Sequence, residues 1–175
     1  MTESTGRIFA ACVGGELLLR FVGRASAHHC PALRRYAEDC LSAGAKNVLV
    51  YLGECSHLDS TCVGTLVFLA KRPELKPAKI QLRTLSPECQ RILKQMAVLP
   101  LFQLVEGETE SPSADWQELV GEGGDSEHWA FKQNVVDAHE HLAAVPSPLS
   151  ERFKDIAESC RRELAVARSN GPRSS

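Results

Sequence analysis

The chain has 175 residues, 43% of them hydrophobic and 24% charged, with a formal net charge of −2. That length gives room for one domain with an appendage or two very small domains. The near-neutral charge gives no overall pull toward nucleic acid or anionic membrane, and no apolar run approaches the roughly 20 residues that span a bilayer.

Met1 to Arg7 lacks the basic start and apolar core of a signal peptide, so a cytoplasmic location is expected. Ile8 to Val13 and Glu16 to Val22 are apolar runs joined by Gly14-Gly15, a two-residue hairpin signal. Gly23 is read as the end of the second strand. From Ala27 to Ala43 the pattern turns helical, with Leu33, Tyr36, Ala37, Cys40 and Leu41 on one side and Gly44 as its stop. Asn47 to Leu52 is apolar on both faces, as expected for a central strand covered by helices. Asp59 opens a helix that places Val63, Leu66, Val67 and Ala70 on one face and ends before Pro73. Lys79 to Thr84 alternates as a strand. Ser86-Pro87-Glu88 has a capping hydroxyl, a first-turn proline and an acid, which start a helix facing Cys89, Ile92, Leu93 and Met96 inward. Gln103 to Val105 closes the order β-β-α-β-α-β-α-β, a mixed sheet with helices packed on it.

Charge then changes sign. Residues 1–106 hold 13 Lys/Arg against 9 Asp/Glu, and residues 107–175 hold 7 against 13. The change falls at EGETESPSAD (Glu106 to Asp115), a linker composition. Beyond it, Phe131, Val135, Ala138 and Leu142 form one helical stripe and Leu149, Phe153, Ile156, Cys160 and Leu164 another, separated by Pro146-Ser147-Pro148. The expected organisation is a domain over 1–106, an acidic linker over 107–127, a helical hairpin over 128–168 and a flexible tail over 169–175. Glu122 to Asp125 also reads as a flexible connection. The two stripes need covering, either by the first domain, by a partner or by a second copy, with a homodimer slightly favoured.

At Asp59-Ser60-Thr61 a strand passes into a helix with no polar linker. On the residues alone this is ordinary capping chemistry, in which Asp59 or Ser60 satisfies an orphan N–H. Three stretches together point further. LLLRFVGRASAHHCPALRRYAEDCLSAGAKNVLVYLGE, HLDSTCVGTLVFLAKR and KIQLRTLSPECQRILKQMAVLPLFQL resemble the STAS domain of bacterial anti-sigma factor antagonists over about residues 8–106. The second stretch is similar to the family signature, Asp-Ser-Ser/Thr-Gly-x-Gly. Cys62 stands at its first glycine and Gly64 at its second, and Tyr51 stands where the central strand commonly carries an aspartate.

The resemblance implies a non-enzymatic α/β regulator without a cofactor. A kinase of the anti-sigma type would phosphorylate Ser60, with Thr61 as second choice, and a serine phosphatase would reset it. The unphosphorylated form would bind the kinase through Asp59, Ser60, Thr61, Gly64, Gly23 and Arg24. A phosphate adds about −1.5 to −2 charge and three acceptor oxygens, so it would act on an interface without unfolding the domain. The other expectation is a constitutive STAS-like binding module with no phosphate cycle.

Seven cysteines include no CxxC pair, and in a reducing compartment they read as small buried hydrophobes rather than a disulfide framework. His28, His29 and Cys30 with Cys55 and His57 supply zinc-ligating types, but no recognised spacing joins the two groups. Metal is not expected. Cys–His catalysis would need the same convergence and is expected even less.

Overall fold

A computed structural model of the chain describes residues 5–75, 80–107, 110–121 and 124–171, with the backbone alone over 124–127. Lys79, the Glu122-Gly123 half of the Glu122 to Asp125 connection and the end of the expected tail lie outside the described residues.

Gly14 and Gly15 take φ of 59° and 80°. Few non-glycine residues adopt those angles, and they turn β1 (Arg7–Val13) into its antiparallel neighbour β2 (Glu16–Ala25). The second strand does not end at Gly23. That residue takes φ 70°, the register shifts between Gly23 and Arg24, and pairing resumes to Ala25, so the glycine makes a bulge rather than a stop. A 3-10 turn at Ala27–His29 leads into α1 (Cys30–Ser42).

β3 (Asn47–Leu58) runs six residues past the expected Leu52, keeping parallel pairing with the bulged end of β2. α2 (Ser60–Ala70), β4 (Gln81–Leu85), α3 (Pro87–Gln95) and β5 (Gln103–Leu104) follow. β6 (Gln117–Glu118), which was not expected, comes next, and then the two expected C-terminal helices, α4 (Gly124–Ala143) and α5 (Ser150–Ser169). The sheet order is β5-β4-β3-β2-β1-β6, parallel from β5 to β2 and antiparallel at β1 and β6.

Alternation along the strands divides the apolar residues between two faces. Ile8, Leu17, Leu19, Phe21, Val48 and Val50 face the helices and form the main core. Ala11, Leu18, Leu49 and Tyr51 face the other way. Tyr51 therefore takes its place on the face away from the helices. The expectation that helices cover both faces of the central strand is corrected here. The second face is covered by the segment read as a linker, whose Ala114 and Trp116 pack on it. The Trp116 ring meets Tyr51 edge-on at 6.4 Å. The next two residues form β6, which pairs with β1, and Arg7 donates two hydrogen bonds to Glu118 at 2.9 and 2.7 Å. That fork holds the Glu118 carboxyl below the usual range.

The C-terminal helices dock on the sheet domain. Leu142, Val145 and Phe153 join the main core, so α2 lies between the sheet and α4. Eight of its eleven residues are buried, as expected for a helix apolar on every side. Cys12 and Cys40 are bonded, tying β1 to α1. This corrects the reading of all seven cysteines as free thiols. The pair is 28 residues apart, with no motif spacing to announce it. Cys30, Cys55, Cys62 and Cys89 are free and buried as expected. Among the described residues, no helix is long and apolar enough to cross a membrane.

Candidate functional site

The site lies at the end of the sheet where β2 and β3 finish and α2 begins. Open parallel sheets commonly place their sites at this carboxyl edge. Asp59 has extended backbone (φ −80°, ψ 169°) and is the N-cap of α2. One carboxylate oxygen accepts from the Cys62 N–H at 2.8 Å and the other from the Ala27 N–H at 2.7 Å. The aspartate thus caps α2 and ties it to the β2–α1 junction. Ser60 is left with no capping duty.

The Ser60 hydroxyl turns to α4 and lies 3.0 Å from His139 Nε2. His139 Nδ1 is 2.7 Å from the Val135 carbonyl. A carbonyl only accepts, so Nδ1 carries a proton, and in the neutral ring Nε2 accepts from the serine. His139 is only 4% exposed and Ser60 is half-buried. Thr61, the second-choice acceptor, is also 4% exposed and its carbonyl accepts from the Thr65 hydroxyl at 2.8 Å. Of the two adjacent hydroxyls, only Ser60 reaches the edge of the core.

Gly64 is present because α4 crosses it. A Cβ there would come within 2.4 Å of the Ala138 carbonyl oxygen. Around this crossing Asn134 donates to Thr65 Oγ1 at 3.2 Å. Arg34 of α1 lies 4.1 Å over the Phe68 ring while pairing with Asp137 at 2.6 Å. The face expected to meet a partner through Thr61 and Gly64 is therefore occupied by the chain's own helix. Gly23 and Arg24 lie at the bulge beside Cys55 and His57, and Arg24 is exposed. Cys62, at the signature's first glycine, places its sulfur 3.3 Å from that of Cys30. That contact, then burial, pushes its thiol well up, which leaves it protonated and inert.

Two cavities flank the site. One of about 420 Å³ lies between the start of α2, α3 and α5, and Asp59, Ser60, Arg91 and Arg152 line it. The other, about 710 Å³, lies on the opposite sheet face between Tyr51, Thr84 and Trp116, with the Arg20–Glu54 ion pair at its wall. The candidate zinc residues do not converge. His28 stacks on Phe131 at 5.0 Å, and His29 Nε2 donates to the Gly6 carbonyl at 2.8 Å. Among the described residues, no three His, Cys, Asp or Glu side chains form a cluster able to hold a metal.

His139 was not legible as a site residue from its local pattern, where it is one of three histidines in α4. The signal that was present lies in α2: Ser60 to Ala70 contains no charged residue, so both its sides had to be covered.

The STAS domain family model matches residues 7–111. This chain belongs to the STAS domain family. Among solved structures it is similar to the anti-sigma factor antagonist SpoIIAA in its unphosphorylated form, at 18% identity and a TM-score of 0.50, covering 56% of this chain and 87% of that one. It is also similar to an anti-sigma factor antagonist from Mycobacterium paratuberculosis, at 14% identity and a TM-score of 0.48, covering 59% and 87%. A third is the Bacillus cell fate determinant SpoIIAA in its phosphorylated form, at 18% identity and a TM-score of 0.46, covering 56% and 90%. The first of these supports the mixed-sheet STAS fold. No curated protein sequence matches the chain. Everything beyond residue 111, including His139 and Arg152, falls outside the family match.

Proposed function

We propose that the chain is a non-enzymatic, cytoplasmic regulator of the anti-sigma factor antagonist kind, switched by phosphorylation of Ser60. Unphosphorylated, it binds an anti-sigma factor with serine kinase activity through Asp59, Ser60, Gly23 and Arg24. Thr61 and Gly64 join that surface only when α4 is lifted. A serine phosphatase reverses the modification. The observation that carries this reading is the division of labour at the junction. Asp59 spends both carboxylate oxygens on backbone N–H groups, so the next hydroxyl is not needed as a cap. Family membership and the likeness in fold to SpoIIAA support it. The proposal does not extend to a homodimer through the C-terminal helices, because Phe153, Ala157 and Leu164 are buried within one chain.

The test is incubation of the full chain with ATP and the anti-sigma-type kinases of the source genome, read by intact mass. One added phosphate is expected, lost in Ser60→Ala and kept in Thr61→Ala. No phosphate from any of them would overturn the switch. A second reading, a constitutive small-ligand module, draws on the 710 Å³ cavity beneath Trp116. Ligand-dependent quenching of Trp116 fluorescence would favour it.

A further inference from the structure

We infer that the cleft beside Ser60 is a seat for a phosphomonoester dianion, through which the C-terminal hairpin reads the modification of Ser60 in cis. The inference rests on the phosphoacceptor reading above and adds a reader to it. The cleft has room: about 420 Å³ opens directly beside the serine, with Ile92, Phe153 and Ile156 among its apolar walls. It is also unbalanced in charge. Its lining holds two guanidinium groups, Arg91 and Arg152, and one carboxylate, Asp59. Both oxygens of that carboxylate already accept backbone N–H bonds. Arg91 is held at the mouth by Glu88 at 3.1 Å and Gln95 at 3.4 Å. Arg152, in the first turn of α5, has no hydrogen bond or ion pair among the described residues. An exposed cation that makes no ion pair among the described residues thus lines the same cleft as the hydroxyl proposed to gain about two negative charges.

His139 supplies the second half. On transfer, the Oγ–P bond forms as the bond from the γ-phosphorus to the ADP oxygen breaks, and the serine proton leaves to the kinase's base. The resulting ester oxygen has no hydrogen to donate. His139 Nδ1–H stays committed to the Val135 carbonyl, so Nε2 meets the phosphate only by taking up a proton and becoming a donor. The ring changes from acceptor to cationic donor, and α4 and α5 then each contribute a positive group to one dianion. Charge-assisted contacts of this kind are about twice as strong as the neutral bond they replace. The hairpin is therefore held more firmly on α2 after phosphorylation, and it withholds from partners the face that it covers.

The test uses the full chain with phosphoserine installed at position 60 during synthesis, so no kinase is required and its outcome is independent of the labelling experiment above. Amide exchange across α4 and α5 is expected to slow about tenfold relative to the unmodified chain, the effect of one charge-assisted hydrogen bond. Arg152→Ala should abolish most of that slowing while leaving the unmodified chain unchanged. The His139 ring-nitrogen resonances should differ between the modified and the unmodified chain. Faster exchange on phosphorylation would overturn the inference and make the phosphate a wedge. Slowing untouched by Arg152→Ala would overturn the reader. Millimolar inorganic phosphate distinguishes the sources. If it shifts the His139 and Arg152 resonances while phosphoserine gives no protection, reading in cis is overturned and the cleft takes a free phosphorylated ligand.

Discussion

Two strands of the sheet run into helices within two residues, and the two junctions use hydroxyls differently. At α3, Ser86 is itself the cap. Its oxygen accepts from the Cys89 N–H at 3.2 Å and its hydroxyl donates to the Cys55 carbonyl at 2.7 Å. At α2 the carboxylate of Asp59 caps, and the hydroxyl of Ser60 is directed to a histidine 79 residues away. A serine at a helix start is available for chemistry only when a neighbour has taken over the cap. The surroundings differ in the same sense, since α3 exposes one side to water and α2 is covered on both.

The largest expected effect tests that coverage. Gly64→Val places a side chain against the Ala138 carbonyl and should lower stability by roughly 3 kcal/mol, the upper range of overpacking. Gln90→Val on the exposed side of α3 should change it by no more than about 0.5 kcal/mol. Urea midpoints of the two variants decide, and equal values would mean that α4 does not seat on Gly64. The next effect concerns the caps. Asp59→Ala orphans two N–H groups and should cost about 2 kcal/mol, against about 1 kcal/mol for Ser86→Ala. A smaller loss at Asp59 than at Ser86 would return capping duty to Ser60. The smallest belongs to Ser60→Ala. Water can enter from the cleft to meet His139, so the loss should stay below about 1 kcal/mol and below that of Ser86→Ala in thermal unfolding. Matching losses would erase the distinction between the two junctions.

The sheet domain was legible because its signals are local. Period-two runs, Gly14-Gly15 and Ser86-Pro87 each fix structure within a few residues, and the apolar stripes marked α4 and α5. The end of β2 was misjudged because a glycine with positive φ serves a bulge as well as a stop. β6 was invisible because two residues carry no periodicity, and Trp116 finds its place only through the tertiary contact with Tyr51. At the site, Asp59 and Ser60 were legible as a pair. Which of them caps was not, because both side chains can serve and geometry alone chooses. His139 needed the docking of α4, a long-range event that α2's lack of charge implies without locating. The Cys12–Cys40 bond was hidden for a similar reason: pairing of a strand end with a helix depends on their packing, not on spacing.

The two-residue pairing of β6 with β1 has a consequence for competition. Because Glu118 is fixed to the sheet by Arg7, only the five residues 119–123 separate that anchor from the start of α4 at Gly124. So short a tether, at most about 3.6 Å per residue, gives the hairpin an effective concentration on the order of millimolar at α2. An external protein that needs this face at micromolar levels must therefore bind it roughly a thousandfold more tightly than the hairpin does to occupy it half the time. By anchoring the tether, a strand of only two residues helps set the affinity that any partner must reach.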